Sequence, residues 1–245
     1  MKRIRAVLEY DGSAYHGFQI QKNAVTIQEK IETSIENLIG EKAGIMAAGR
    51  TDAGVHAVGQ VIAFDTNSSI PPEKWKFALN SILPDDIRIV SSCEATADFH
   101  PRFDAVDKRY IYLIHRKPSG KVFFGKYAYC NPEALQVELM QQGCRMLLGR
   151  HNFKSFCSSG SSVKTHERHV KECKLLEKGP FLRLDITADG FLYNMVRIIV
   201  GTLLDVGRLT YEPEHISDII LARDRTRAGQ TAPPQGLYLY SVNYG

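Results

Sequence analysis

The same order of elements runs through this chain twice, and that repetition narrows its fold more than any other feature. Residues 4–10 read as a strand that stops at Asp11-Gly12. Thr26 opens a helix, because Thr26 and Glu29 form a capping-box pair and Ile27, Ile31, Ile35 and Leu38 line one face. Residues 61–65 read as a strand. Pro71-Pro72 then begin a second helix, carrying Trp75, Leu79 and Ile82, which Pro84 closes before a strand at 87–90. After a connector at about 96–107, residues 109–115 alternate as a strand, and a helix follows at about 132–148 with Gly149 placed to cap it. Residues 170–176 and 181–187 pair as a hairpin across Glu177-Lys178-Gly179-Pro180. A very apolar helix spans 191–206, another spans 213–222, and a strand at 237–242 ends the series. The halves share this order without obvious sequence repetition. The expected class is α+β: two similar units, residues 1–100 and 101–245, each a mainly antiparallel sheet with helices on one face, and an active-site cleft between them.

Chemistry concentrates in one stretch, Gly49-Arg50-Thr51-Asp52-Ala53-Gly54-Val55-His56-Ala57-Val58-Gly59-Gln60. It reads as a loop ahead of the 61–65 strand, with a single carboxylate between glycines. Glycines allow a tight path and leave little bulk beside Asp52, so a substrate can approach closely. Asp-X-Gly by itself is an ordinary turn; the full twelve residues say more. Arg197 is the second informative residue. Its helix is apolar and offers no acid three or four residues away, so its counter-ion must come from another segment. Snorkelling to the surface is the alternative. Tyr110 lies on a strand beside Tyr112 and Ile114, where a tyrosine is usually a plain sheet residue. Arg50 either braces the loop or contacts substrate, and residues 229–236 are either a rigid connection or a substrate contact.

Composition bounds the rest. With 245 residues and 44% apolar content the chain can bury a core and is not disordered. No apolar run is long enough for a bilayer, and Glu9 and Asp11 interrupt any signal-peptide core behind the basic start. A soluble, cytoplasmic protein without a membrane partner is expected. Five cysteines without a Cys-X-X-Cys pattern argue against disulfides and zinc, and His166 with His169 reads as basic surface rather than a metal site. The net charge of +4 suits a polyanion partner without requiring one. Lys164, His166, Arg168, His169, Lys171 and Lys174 cluster, as do Arg223, Arg225 and Arg227. Such runs are commonly solvated faces; they serve phosphates only where they line the same cleft as the Asp52 motif.

The twelve-residue motif resembles that of the tRNA pseudouridine synthase A family. So, in family order, do Tyr10-Asp11-Gly12-Ser13, Gly17-Phe18-Gln19, Ala78-Leu79-Asn80, Lys108-Arg109-Tyr110, His151-Asn152-Phe153, residues 190–201, Thr231-Ala232-Pro233 and Gly236-Leu237-Tyr238-Leu239. The resemblance covers nearly the whole chain. It departs at His169, where threonine often follows the arginine, and at Phe18, where tryptophan is more usual. It implies conversion of uridine to pseudouridine at positions 38, 39 and 40 of the tRNA anticodon stem-loop, without a cofactor, by a homodimer whose subunits share one tRNA. It further implies Asp52 as the nucleophile, Tyr110 against the uracil, Arg50 in the place of the flipped base and Arg197 as the partner of Asp52. On the residues alone, a nucleoside or glycoside hydrolase and a non-catalytic RNA-binding protein stay open, although hydrolases usually use two carboxylates. The absence of a Gly-X4-Gly-Lys-Ser/Thr loop argues against a triphosphatase. Whether Asp52 would attack the sugar, deprotonate it or add to the base also stays open.

Overall fold

The computed structural model, which describes residues 1–160 and 163–245, divides into two units: residues 1–106 with 238–245, and residues 107–237. The first half of the chain contains β1 (Lys2–Tyr10), α1 (Ile27–Ile39), β2 (Met46–Ala47), β3 (His56–Thr66), α2 (Trp75–Asn80) and β4 (Ile87–Ala95). The second contains β5 (Asp107–His115), α3 (Lys121–Phe124), β6 (Tyr129–Cys130), α4 (Val137–Met146), β7 (Gly149–Asn152), β8 (Glu167–Lys178), β9 (Phe181–Ala188), α5 (Met195–Gly207), α6 (His215–Ala222) and β10 (Leu237–Asn243).

In the first unit β1 runs antiparallel to β3 on one side and to β4 on the other. Its alternation buries Ile4, Ala6, Leu8 and Tyr10 on one face. Ile4 stands opposite Phe64 of β3, and the Phe64 ring meets Trp75 of α2 edge-on at 5.0 Å, so α2 covers that apolar face. The cap of α1 is made: Thr26 Oγ1 accepts from the Glu29 amide at 3.3 Å, while Ile27, Ile31 and Ile35 are buried. β2 adds antiparallel to β3, and β10 joins β3 in parallel, with Tyr238 opposite His56.

In the second unit β5, β9, β8 and β7 form an antiparallel series, and β6 adds to β5 in parallel. Tyr110, Tyr112 and Ile114 pair with Ile186, Leu184 and Leu182, and all six are buried. On the opposite face Arg109 and Arg183 both reach Asp185 Oδ1, at 2.6 and 2.8 Å, beside Ile111. Helices cover the apolar face. Gln141 of α4 donates to the Leu175 carbonyl of β8 at 3.1 Å, and nearly every residue of α5 is buried.

Several predicted elements shift for local reasons. The helix expected at 132–148 is only Val137–Met146. Asn131 Oδ1 accepts from the Glu133 amide at 3.0 Å, holding the preceding residues in a turn, and the Gln136 amide bonds to the Gly207 carbonyl at 2.9 Å. Gly149 does not cap that helix; it opens β7. The helix expected at 191–206 begins only at Met195, because Asn194 adopts a left-handed conformation. The helix expected from Pro71 starts as a 3-10 turn over Pro72–Lys74, and β4 runs five residues past its predicted end, to Ala95. The short elements β2, α3, β6 and β7 have no predicted counterpart, since two to four residues carry no readable period. Among the described residues no helix is long and apolar enough to cross a membrane.

Candidate active site

The Asp52 motif is a loop only in its first part. Residues from His56 onward already belong to β3, which corrects the reading of all twelve residues as loop. The start of the loop is tied to that strand. The Ala48 amide donates to the Val61 carbonyl at 2.8 Å, and buried Gln60 donates through Nε2 to the Gly49 carbonyl at 2.7 Å. The segment after β1 holds its middle. The Phe18 amide donates to the Thr51 carbonyl at 3.0 Å, the Gly54 amide donates to the Tyr15 carbonyl at 3.3 Å, and the Val55 amide closes on the Asp52 carbonyl at 3.1 Å. Gly17 has φ +92°, and a Cβ there would stand 2.7 Å from the Thr51 carbonyl oxygen. Only glycine permits both that conformation and that approach. Asp52 therefore sits between two backbone anchors, half-buried, while Arg50 is exposed.

Side chains reinforce the loop from beneath. The Tyr10 and Thr51 hydroxyls lie 2.8 Å apart. Burial pushes the Tyr10 hydroxyl well above the ordinary tyrosine value, against the pull of its bonds to Thr51 and Gln60, so it stays neutral. His56 is buried and stacks on Tyr238 at 4.8 Å. Its Nδ1 accepts from the Gly12 amide at 3.1 Å and lies 3.2 Å from Asp11 Oδ1. Sequence reasoning assigned no role to Tyr10, Gln60 or His56. The alternating burial of β1 puts Tyr10 on its inner face, whereas the tertiary bonds of the other two leave no local signal.

Tyr110 and Arg197 belong to the other unit. Tyr110 is buried on β5, and its ring meets Phe191 edge-on at 4.9 Å. Arg197, in the first turn of α5, is half-buried. Its Nε donates to the Ala232 carbonyl at 2.7 Å and its Nη1 to Asn194 Oδ1 at 2.8 Å. These bonds orient the guanidinium within the fold, which excludes free snorkelling, and they leave its positive charge in place. The undecided segment 229–236 acts as a strap along α5. The Ala232 amide donates to the Arg197 carbonyl at 3.1 Å, and the Gly229 amide donates to Thr202 Oγ1 at 2.9 Å. The Tyr112 hydroxyl donates to the Pro233 carbonyl at 2.7 Å. Burial raises Tyr112 strongly, with nearby Arg197 pulling the other way. A Cβ on Gly201 would come 1.7 Å from the Gln230 carbonyl oxygen, so helix and strap touch backbone to backbone.

Arg50 and Asp52 thus share one loop of the first unit, and Tyr110 and Arg197 belong to the second unit. The basic clusters are partly engaged. Lys171 bonds Asp107 at 2.7 Å and Lys174 bonds Glu172 at 2.6 Å. Arg225 braces the strap through the Ala228 carbonyl and Thr231 Oγ1, and burial lowers its pKa. A cleft of about 530 Å³ lies along the strap in the second unit, lined by Tyr129, Asp205, Arg208, Tyr211, Gln230 and Thr231. Among the described residues no group of three or more His, Cys, Asp or Glu side chains is arranged to hold a metal ion.

Known proteins match this chain over its length. The model of the family described as tRNA pseudouridine synthase matches residues 6–104 and 144–245. A tRNA pseudouridine synthase A from Syntrophomonas wolfei is 59% identical over 244 residues, covering 100% of this chain and 98% of its own. Enzymes of the same name from Acetivibrio thermocellus and Caldicellulosiruptor bescii are each 47% identical over 244 residues, covering 100% of both chains.

Proposed function

The chain belongs to the tRNA pseudouridine synthase family, and on that premise we propose that it isomerises uridine to pseudouridine at positions 38, 39 and 40 of the tRNA anticodon stem-loop, with Asp52 as nucleophile. As a family member it is an isomerase acting on uridine in tRNA. The observation that carries the assignment of Asp52 is the anchoring of its loop, bonded on both sides of the residue to the 15–18 segment. A carboxylate held this way on a preorganised backbone can meet a reacting carbon without rearrangement.

The reaction breaks the N1–C1′ bond, turns the uracil and joins C5 to C1′. A carboxylate attacking C1′ displaces the base with the N1–C1′ electron pair, as in retaining glycosidases. The base then returns through C5, expelling the carboxylate; C5 loses its proton and N1 gains one, so no atom is gained or lost. In this reading Arg197 is the counter-ion that keeps Asp52 ionised. Tyr110 stands against the uracil, and exposed Arg50 fills the place of the flipped base. Exclusion of water protects the detached base from loss by hydrolysis. The reading includes a cytoplasmic homodimer sharing one tRNA, and no cofactor.

The test is turnover of an unmodified tRNA transcript with pseudouridine mapped by position. Product at 38–40 with the native protein, and none with Asp52→Asn at undiminished tRNA binding, supports the reading. Release of free uracil would assign a hydrolase instead. Activity should survive exhaustive chelation once tRNA folding is controlled, and sedimentation equilibrium should give a dimer; a fully active monomer contradicts the shared tRNA.

A further inference from the structure

Asn194 occupies the N-cap position of α5 but does not behave as a cap. An N-cap asparagine normally turns its side-chain oxygen back to an amide of the first helical turn. Here the side chain makes no capping bond, and the backbone is left-handed at φ 60° and ψ 9°. Left-handed conformations are tolerated by asparagine but are uncommon outside glycine, and they cluster where surrounding structure imposes them. Both features cost the helix stability. The amide is used elsewhere. Its Nδ2 donates to Ser158 Oγ at 3.0 Å, and its Oδ1 accepts from Arg197 Nη1 at 2.8 Å. Ser158 is fixed in turn, its own amide donating to the Tyr193 carbonyl at 3.1 Å. With the Ala232 carbonyl on Nε, two sides of the guanidinium fork are therefore set by neutral acceptors.

We propose that Asn194, anchored by Ser158, is a positioning residue that aims the Arg197 guanidinium at the reacting carboxylate. The inference rests on the reading of Arg197 as the partner of Asp52. An arginine fork gains its directional strength from being held in plane, so an orienting acceptor on one nitrogen sets where the remaining N–H groups point. A neutral amide suits that task, because an acidic orienter would compete with Asp52 for the same cation.

The experiment compares Asn194→Gly, Ser158→Ala, Arg197→Lys, Arg197→Met and the double variant Asn194→Gly/Arg197→Lys. Glycine keeps the left-handed backbone and is accepted at an N-cap, so this variant removes the amide alone. The expected result is a kcat loss of roughly 10- to 100-fold at unchanged KM for tRNA. The acid limb of the kcat–pH profile should move upward as the carboxylate loses its aimed cation. Ser158→Ala should act in the same direction, more weakly. In the Arg197→Lys background, which lacks the fork, Asn194→Gly should cost no further activity. Wild-type kcat and pH profile in Asn194→Gly, beside an inactive Arg197→Met, overturns the proposal and leaves the role of Arg197 standing. So does a lowered Tm with unchanged kcat, which would mark Asn194 as an ordinary helix-end residue. Full activity in Arg197→Met overturns the underlying assignment of Arg197 itself.

Discussion

The hydroxyls of Tyr10 and Thr51 lie 2.8 Å apart in a buried contact that ties the end of β1 to the residue immediately before Asp52. Tyr10→Phe keeps the ring and removes this bond, leaving the Thr51 hydroxyl buried beside an apolar ring edge. The expected cost is about 1–3 kcal/mol of stability, accompanied by a lower kcat because the aspartate loop loses an anchor. Urea unfolding and single-turnover rates measure the two effects. Full stability with full activity would mean the bond contributes to neither.

Alkaline pH should destabilise the protein through its buried tyrosines. Burial is the largest cause raising Tyr10, Tyr15, Tyr112 and Tyr244 above the ordinary value of 10.0. Each folded-state phenol holds its proton where the unfolded one has begun to lose it. The stabilisation is therefore fully present below about pH 10 and declines as pH rises from there toward the folded-state values. Unfolding free energy measured from pH 8 upward should bend down near pH 10, and less steeply in Tyr10→Phe/Tyr112→Phe. Identical bends in the two proteins would refute this origin.

Gly201→Ala should be among the most damaging single-methyl additions in the second unit. Its Cβ would meet the Gln230 carbonyl oxygen at 1.7 Å, and neither the helix backbone nor the strap can yield locally. Overpacking of this kind costs about 1–3 kcal/mol or more. Because the strap carries the Ala232 carbonyl that receives Arg197 Nε, activity should fall further than stability alone accounts for. Activity and Tm measured together below the transition separate the two contributions; a neutral substitution would show that helix and strap are not in this contact.

Affinity for tRNA should fall with salt, because phosphate contacts by Lys and Arg release counterions. Replacing Lys164, Arg168 and Lys171 together with alanine should flatten the slope of log affinity against log salt. Lys171 is paired with Asp107, so its share should be smaller than that of exposed Lys164. An unchanged slope removes this cluster from the binding face.

What the sequence made legible was whatever is decided within a few residues. The Thr26–Glu29 cap is an i, i+3 relation and is found as expected. The β8–β9 hairpin follows from two alternating runs around Gly179-Pro180. Asp52, Arg50, Tyr110 and Arg197 stood out by motif, and the lack of an acid three or four residues from Arg197 is readable in the sequence. What escaped was set by distant partners. The left-handed Asn194 that delays α5 answers to Ser158, 36 residues earlier, and the role of residues 229–236 emerges only once Thr202, Arg197 and Tyr112 receive them. The pairing of Tyr238 with His56 joins β10 to the Asp52 motif, a contact no local pattern encodes.

The proposed pairing of Asp52 with Arg197 makes the sharpest demand. Arg197 has no acidic neighbour in its own first turns, and its bonds to Asn194 and Ala232 orient the guanidinium without neutralising it. Asp52→Asn keeps shape and removes charge, so turnover should vanish while tRNA still binds. Arg197→Met should abolish turnover as well, since a carboxylate deprived of its cation protonates more readily. Arg197→Lys should rescue only in part, because an ammonium cannot reproduce the fork. Breaking one side of a fully buried pair typically costs roughly 3–5 kcal/mol; this half-buried pair should lose less, and removing both sides leaves no stranded charge. The double variant Asp52→Asn/Arg197→Met should therefore be more stable than the sum of the single losses implies. If the stability effects simply add, with coupling no larger than about 0.5 kcal/mol, the two residues do not meet and Asp52 must draw its ionisation from another group.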